Sequence, residues 1–463
     1  MRFLIKDKKF YIQIITIALP IVLQSLITIG VNTTDTIMLG SFGEQQLSAA
    51  SLSNQFYSIF QIFCFGVGGG AAVMTSRLWG RGDSAGIKKV IAIMLRIAIT
   101  AGFSLMLLTA FFPGAVLSLY TDNPATIGYG IKYFSFLCYT FLFQGISLTL
   151  SIVMRSVGAY FIPLVSSASS FLLNIFFNWV FIFGKLGAPE LQIQGAAIGT
   201  LIARFVEVSI MVFYLLVVDK RIGFKGKDLF SDCKEVSRQY LKYSTPVIIS
   251  DIILAVGNNY MSVIMMKIGV NFVAAHAITL VVVQISTFFT LAVSNAASII
   301  IGNTLGKGSK ETAQTQGTTF LFISIILGVL ASIITIVLKP IMIDFYNVTA
   351  QTKEIAIQLM NAVGLTVIFR TISSVLTKGI LRGGGDTRYM MMADVLFLWI
   401  GSIPLGALTG LVLHTSPFIT YCCLNIDLVI KSFWCIHRLY SKKWIKDIRL
   451  STRLDSNIAL KST

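Results

Sequence analysis

Long apolar segments follow one another along almost the whole of this 463-residue chain. Apolar residues make up 55% of the sequence and charged residues only 12%, about half of the roughly 25% that is usual in a soluble domain. A helix needs about 20 apolar residues to cross the hydrocarbon core of a bilayer. Strands of a membrane β-barrel would alternate apolar and polar residues, which these segments do not. The chain is therefore predicted to be an all-α integral membrane protein.

Twelve segments have the length and composition of transmembrane helices. They cover residues 11–38, 46–74, 88–112, 128–152, 160–184, 190–218, 240–267, 276–301, 315–339, 352–378, 388–412 and 415–438. The longest polar connection, residues 219–239, joins the sixth span to the seventh.

The basic residues are distributed unevenly between the two sides that these spans define. With a cytoplasmic N-terminus, 27 Lys and Arg residues fall on the cytoplasmic side, against Lys185, Lys267, Lys339 and Lys353 outside. Because basic loops stay in the cytoplasm, this asymmetry predicts a multi-pass protein of the cytoplasmic membrane with both termini inside. The net charge of +17 is then explained by topology and by contact with anionic lipid. Nucleic acid is not expected as a partner.

The two halves of the chain resemble each other at a constant difference in residue number of about 226, the repeat offset. The repeat offset relates Pro20 to Pro246, Asn32 to Asn258, and the tripeptide 80–82 to 306–308. After a slip of one position it relates Arg155 to Arg382. Each half contains six spans, an even number, so the sequence predicts two parallel six-helix lobes. The predicted domains are an N-terminal lobe (1–218), a cytoplasmic linker (219–239), a C-terminal lobe (240–438) and a basic cytoplasmic tail (439–463).

Polar side chains recur at helical spacing within several spans of the first lobe. These stripes contain Gln24, Thr28, Asn32 and Asp35 in span 1, Asn54, Ser58 and Gln61 in span 2, and Ser167, Ser170, Asn174 and Asn178 in span 5. One such stripe is typical of hydrogen bonding between helices. Three stripes, one of which includes a carboxylate, favour a water-accessible cavity that binds a substrate.

Asp35 is the strongest candidate for ion coupling. A carboxylate inside a membrane can bind a proton, or it can hold a cation together with amide and hydroxyl oxygens. The second lobe contributes Asp251, Asn258, Gln284 and Asp394 as further candidates for the cavity. Asp251 and Asp394 could neutralise Arg370 and Lys378, or one of these two carboxylates could bind a cationic substrate. Pro20, fifteen residues before Asp35, predicts a bend in span 1 because proline lacks an N–H group.

Four stretches carry a resemblance to a known family. They are "NTTDTIMLGSFGEQQLSAAS" (32–51) with "GRGD" (80–83), the segment 154–204 beginning "MRSVGAYFIP", "ILRGGGDTR" (380–388) and "RLYSKKW" (438–444). Over essentially its full length the chain resembles the multidrug and toxic compound extrusion (MATE) family. The resemblance implies that Asp35 is the functional acid of the first helix and that Asn174, Asn178 and Thr200 are its partners.

Two departures from the family pattern limit what the resemblance implies. Some members have a second Asp at the position of Asn178. Sodium-coupled relatives have acids at the positions of Thr371 and, approximately, Ala255, so their second-lobe ion site is not expected here.

The predicted function is secondary active export of organic, often cationic, small molecules by antiport with a cation, through alternating access of the two lobes. The alternative is a flippase or exporter of lipid-linked glycans from the same superfamily. No catalytic, cofactor-binding or certain metal-binding residues are predicted. The coupling ion is H⁺ or Na⁺, the expected partners are small organic substrates and the lipid bilayer, and the expected state is a monomer.

Overall fold

The computed structural model describes residues 4–346 and 348–447, apart from the side chain of Asn32. Within these residues, twelve helices are long and apolar enough to cross a membrane. They are α1 (Lys8–Gly40), α2 (Glu44–Arg81), α3 (Ser84–Phe111), α4 (Pro124–Ser156), α5 (Phe161–Ile182), α6 (Ile193–Val218), α7 (Lys234–Ile268), α8 (Val270–Gly306), α9 (Lys310–Phe345), α10 (Ala350–Leu381), α11 (Thr387–Val412) and α12 (Pro417–Tyr440). The prediction of an all-α fold with twelve spans is confirmed.

A polar side chain caps the start of α4 in the first half and the start of α10 in the second half. The Asn123 side chain accepts a hydrogen bond from Ala125 N at 3.0 Å at the start of α4. Thr349, its counterpart at the repeat offset, accepts one from Thr352 N at 3.3 Å at the start of α10. Both caps satisfy backbone N–H groups that have no partner within the helix.

A π-helical segment accounts for the one-position slip in the internal repeat. The starts of α4 and α10 are separated by the repeat offset, yet Arg155 and Arg382 near their ends are separated by one position more. Residues Val375–Leu381 of α10 form a π-helix, whereas α4 is α-helical from Pro124 to Ser156. A turn closed by i→i+5 hydrogen bonds contains one more residue than an α-helical turn. The extra residue is therefore accommodated inside α10.

The chain divides into two compact units that differ from the predicted lobes in two segments. Residues 23–248 form the N-terminal unit, and described residues 4–22 and 249–447 form the C-terminal unit. The start of α1 thus belongs to the C-terminal unit, whereas the linker and the first part of α7 belong to the N-terminal unit. The two boundaries between the units, after Val22 and after Ile248, are separated by the repeat offset. Each boundary lies two residues after a proline, Pro20 or Pro246.

α1 continues through Pro20 as one helix, and the bend predicted there stays a prediction. Most of the predicted basic tail (439–463) lies outside the described residues, which end at 447.

Glycines allow very close packing of α2 in the N-terminal unit. A Cβ atom added to Gly66 would lie 2.7 Å from the Cα of Ile248, and one added to Gly70 would lie 2.1 Å from the hydroxyl of Ser244. Tyr240 of α7 also donates its hydroxyl to Val67 O at 2.7 Å. The run of glycines at 66–70 is thus a helix-packing surface, as its position within an apolar span indicates.

Candidate functional site

Four polar side chains from three helices of the N-terminal unit form a continuous chain of hydrogen bonds. Asn178 Nδ2 on α5 donates to Asp35 Oδ1 on α1 at 2.5 Å and lies 3.3 Å from Asn174 Oδ1. Asn174 Nδ2 in turn donates to Thr200 Oγ1 on α6 at 3.4 Å. The structure therefore brings together all four residues predicted for ion coupling.

The position of Asn178 depends on very close packing between α5 and α6. A Cβ atom at Gly199 would lie 2.2 Å from Asn178 Oδ1, and one at Gly195 would lie 2.4 Å from the carbonyl oxygen of Phe181. Because neither glycine has a Cβ atom, α6 can approach the amide of Asn178 directly. Asn178 is fully buried, whereas Asp35 is only half-buried. The site thus has a buried amide beside a more accessible carboxylate.

Asn178 Oδ1 is a buried acceptor without a hydrogen-bond partner. Leaving such an atom unsatisfied is unfavourable, and here the atom belongs to the same amide that contacts Asp35. The surrounding oxygens come from one carboxylate, two amides and one hydroxyl. This donor set suits a proton or a Na⁺ ion at Asp35.

Arg204 and Glu207 extend the site along α6. They form an ion pair at 2.6 Å, and their spacing of three residues places them on one face of the helix. Arg204 also interacts electrostatically with Asp35, as does Tyr133 of α4. The sequence held a signal for Arg204, since it lies four residues after Thr200 and therefore on the same helix face. No sequence pattern singled out Tyr133.

Gln24 belongs to a separate hydrogen-bond cluster. Its Nε2 donates to Ser167 Oγ at 2.8 Å and lies 3.4 Å from Ser151 Oγ. Eleven residues of helix, about 16 Å at 1.5 Å per residue, separate Gln24 from Asp35. Thr28 donates to the Gln24 backbone oxygen. At Gln24, the first residue of the polar stripe in span 1, the stripe therefore forms hydrogen bonds between helices.

The remaining first-lobe candidates lie on α1 and α2. Asn54 is exposed and interacts with the Tyr133 hydroxyl, and Ser58 donates to the backbone oxygen of Gln55. Gln61 is half-buried. The side chain of Asn32 lies outside the described residues. Asn54 is thus linked to the surroundings of Asp35 through Tyr133.

The candidate acids of the second lobe pair with cations other than those considered from the sequence. Asp251 lies 3.6 Å from Arg382, and Asp394 lies 2.9 Å from Lys431. Arg370 donates to the side chain of Asn425 at 2.9 Å. Asn258 and Gln284 are exposed on α7 and α8.

Twelve spanning helices that form two six-span repeats are typical of membrane transporters. The MatE family model matches residues 20–180 and 246–408. The starts of these two segments are separated by the repeat offset, in agreement with the internal repeat. The chain belongs to the MATE family and is a multi-pass membrane protein of a family of transporters rather than enzymes.

Curated relatives match nearly the whole chain at low identity. The probable multidrug resistance protein NorM of Thermotoga maritima is 24% identical over 438 residues, covering 94% of this chain and 93% of its own length. The multidrug resistance protein MdtK of Edwardsiella ictaluri is 23% identical, covering 88% of this chain and 89% of its own length.

Solved structures share the fold. A MATE protein crystallised in a bent conformation has a TM-score of 0.83 at 15% identity, covering 93% of this chain and 96% of that one. The bent form of the Vibrio cholerae transporter VcmN has a TM-score of 0.84 at 16% identity, covering 95% and 99%.

Proposed function

We propose that this protein exports small organic compounds across the cytoplasmic membrane in exchange for a cation that binds at Asp35. The observation that carries the proposal is the contact between Asp35 and Asn178, whose second amide atom is buried and unpartnered. The relatives named as multidrug resistance proteins support export of several unrelated compounds. The half-buried carboxylate favours organic cations as substrates.

The amide of Asn178 can satisfy Asp35 in both of its charge states. When Asp35 is ionised, Asn178 Nδ2 donates to the carboxylate, as in the structure. When Asp35 is protonated, rotation of the amide presents Oδ1 as an acceptor for the acid O–H group. If the coupling ion is Na⁺, the same oxygen joins the carboxylate as a ligand. The site therefore loads and unloads a cation without moving its backbone.

Exchange follows when the loaded and unloaded forms prefer different conformations of the transporter. A ligand shifts a conformational equilibrium only by the difference in its affinities for the two states. A cationic substrate and the coupling ion both neutralise Asp35, so they compete for one negative charge. We propose that the two six-helix repeats alternate access to the site, that both termini are cytoplasmic, and that a monomer suffices.

Asp35→Asn tests the proposal, because asparagine keeps the size of the side chain but cannot ionise. Efflux is measured in inverted vesicles with a proton gradient or a sodium gradient imposed separately, and normalised to inserted protein. We expect the variant to insert normally and to lose gradient-driven efflux, with partial activity in Asp35→Glu. Asp122→Asn, a change at an exposed loop acid, is the matched control. Wild-type efflux by Asp35→Asn under both gradients would show that Asp35 does not couple transport.

A further inference from the structure

The C-terminal unit has an arginine within a spanning helix that no carboxylate neutralises. Arg370 on α10 is half-buried, and its Nη2 donates to the neutral side chain of Asn425 on α12 at 2.9 Å. Nearby acids of the unit pair with other cations, in the contacts Asp251–Arg382, Asp394–Lys431 and Asp427–Lys431. Among the described residues, no carboxylate lies at ion-pair distance from Arg370. A charge inside a membrane protein that has no partner of opposite sign marks a site for a ligand.

Two rings from neighbouring helices complete the surroundings of Arg370. His276 on α8 and Tyr421 on α12 both interact electrostatically with the guanidinium, and their rings lie 5.8 Å apart. His276 Nδ1 is buried and has no hydrogen-bond partner. Asn425 has both amide atoms occupied, since its Nδ2 donates to the Tyr421 backbone oxygen at 3.0 Å. These four residues, the arginine cluster, thus combine one positive charge with an unpartnered ring nitrogen.

The charge of the arginine cluster has no counterpart in the N-terminal unit. Gln144, a neutral residue, stands at the repeat offset from Arg370. Arg155 and Arg382, by contrast, are related by the repeat and belong to the structure that both units share. The fold of a six-helix unit therefore does not require a cation at the position of Arg370, which favours a ligand-binding role over a structural one.

The arginine cluster lies close to one end of two of its helices. His276 stands six residues after the start of α8, and Asn425 stands eight residues after the start of α12, which is about 9 and 12 Å of helix at 1.5 Å per residue. Both helices begin on the same side of the membrane, because each is preceded by an odd number of spans. In the proposed topology that side is the outer one, so the cluster lies about two turns below the outer helix ends.

An organic carboxylate matches the chemistry of the arginine cluster. A guanidinium presents parallel N–H donors that bind both oxygens of a carboxylate, and a single carboxylate neutralises its single charge. The imidazole of His276 donates to the same group when Nδ1 carries the proton. A phosphate monoester, with a charge of about −1.5 to −2 at neutral pH, would leave negative charge uncompensated within the protein.

We propose that the C-terminal unit binds the carboxylate of an organic substrate at Arg370 and His276, so that the protein exports zwitterionic and anionic compounds as well as organic cations. The sign of this site is opposite to that of the Asp35 site. The proposal rests on the export function proposed above for its link to transport, whereas binding at Arg370 can be measured without transport.

Rhodamine B, a zwitterion with one carboxylate, and its methyl ester, a cation, are the probes. Their binding to the purified protein in neutral detergent is measured by fluorescence anisotropy, and the ratio of the two affinities is compared between variants. We expect Arg370→Gln, which keeps an N–H donor but no charge, to lower the acid-to-ester ratio by at least about tenfold. Lys378→Gln is the matched control, since it removes a cation eight residues further along α10 and should keep the wild-type ratio.

His276→Phe removes both ring nitrogens while Arg370 stays, and it should lower the ratio as well, so a second variant is available if Arg370→Gln does not fold. A wild-type ratio in the folded variants would overturn the proposal, as would absence of rhodamine B binding to the wild type. Displacement of rhodamine B by phosphatidylglycerol at lower concentration than by benzoate would also overturn it, because a lipid headgroup would then be the ligand.

Efflux of the two dyes separates this proposal from the proposed function. Asp35→Asn should stop gradient-driven efflux of both dyes and keep the wild-type binding ratio, because the acid and the ester share the same cationic group. Efflux lost in Asp35→Asn with a wild-type ratio in Arg370→Gln would refute the carboxylate site alone. A lowered ratio in Arg370→Gln with full efflux in Asp35→Asn would support the carboxylate site and refute coupling at Asp35.

Discussion

Replacement of Gly199 by alanine tests whether the buried amide of Asn178 controls the coupling site. The added methyl group would lie 2.2 Å from Asn178 Oδ1 and 3.0 Å from its backbone nitrogen. Separations this short are not tolerated between such atoms, so the Asn178 side chain has to move. Its 2.5 Å hydrogen bond to Asp35 is then lost or lengthened.

The size of the effect follows from the charge of the acceptor. A hydrogen bond to a charged group contributes about 1.5–3 kcal/mol, which corresponds to a change of roughly tenfold to somewhat over a hundredfold in a binding constant. Alanine raises helix propensity by about 1 kcal/mol relative to glycine, so helix formation itself does not oppose the substitution. We therefore expect Gly199→Ala to insert normally and to change the concentration of the coupling cation at which efflux is half-maximal.

The assay is efflux in vesicles as a function of proton or sodium concentration, which yields the half-saturating concentration of the coupling cation. Gly199→Ala should displace this concentration by about tenfold or more. Gly128→Ala is the matched control: Gly128 is also within a helix, and nothing lies within 4 Å of a Cβ atom built there. Equal half-saturating concentrations in Gly199→Ala and the wild type would refute a role for the amide.

Three other experiments test the remaining features. Pro20→Ala restores a backbone N–H in α1 and should lower export at unchanged expression; full export would show that no bend is required there. A cysteine at Asp122 should react with an impermeant reagent from outside and one at Lys227 only after permeabilisation; the reverse pattern would invert the topology. Arg96 donates to the backbone oxygens of Leu229 and Ser231, so Arg96→Met should speed proteolysis of the linker, whereas an unchanged rate would show that other contacts hold it.

The linker, residues 219–239, shows which features a sequence pattern can predict and which it cannot. Its polarity predicted a connection between two halves, and its basic residues predicted its side of the membrane. The pattern did not predict that Arg96, in the middle of the apolar helix α3, binds the backbone of the linker. A charged residue within a span indicates an unknown partner, and the partner here is a pair of carbonyl groups that no side-chain pattern reveals.

The Asp35 site was predicted more completely than the charges of the C-terminal unit. Asn174 and Asn178 are four residues apart and therefore share one face of α5, and the family resemblance added Asp35 and Thr200. Asp394 is also a candidate from the sequence, which offers Arg370 and Lys378 as its neutralising groups, whereas the structure pairs it with Lys431. The choice among several cations depends on how α10, α11 and α12 are rotated about their axes.

The sequence by itself determined the twelve spans, the two repeats and the asymmetry of basic residues, because hydrophobic length and local charge are properties of single segments. Only the tertiary structure decided which polar side chains meet. It also decided that the chain divides after Val22 and Ile248 rather than in the linker. Those outcomes depend on contacts between helices that are distant in sequence, and such contacts are set by small residues such as Gly199, which carry no polar signal of their own.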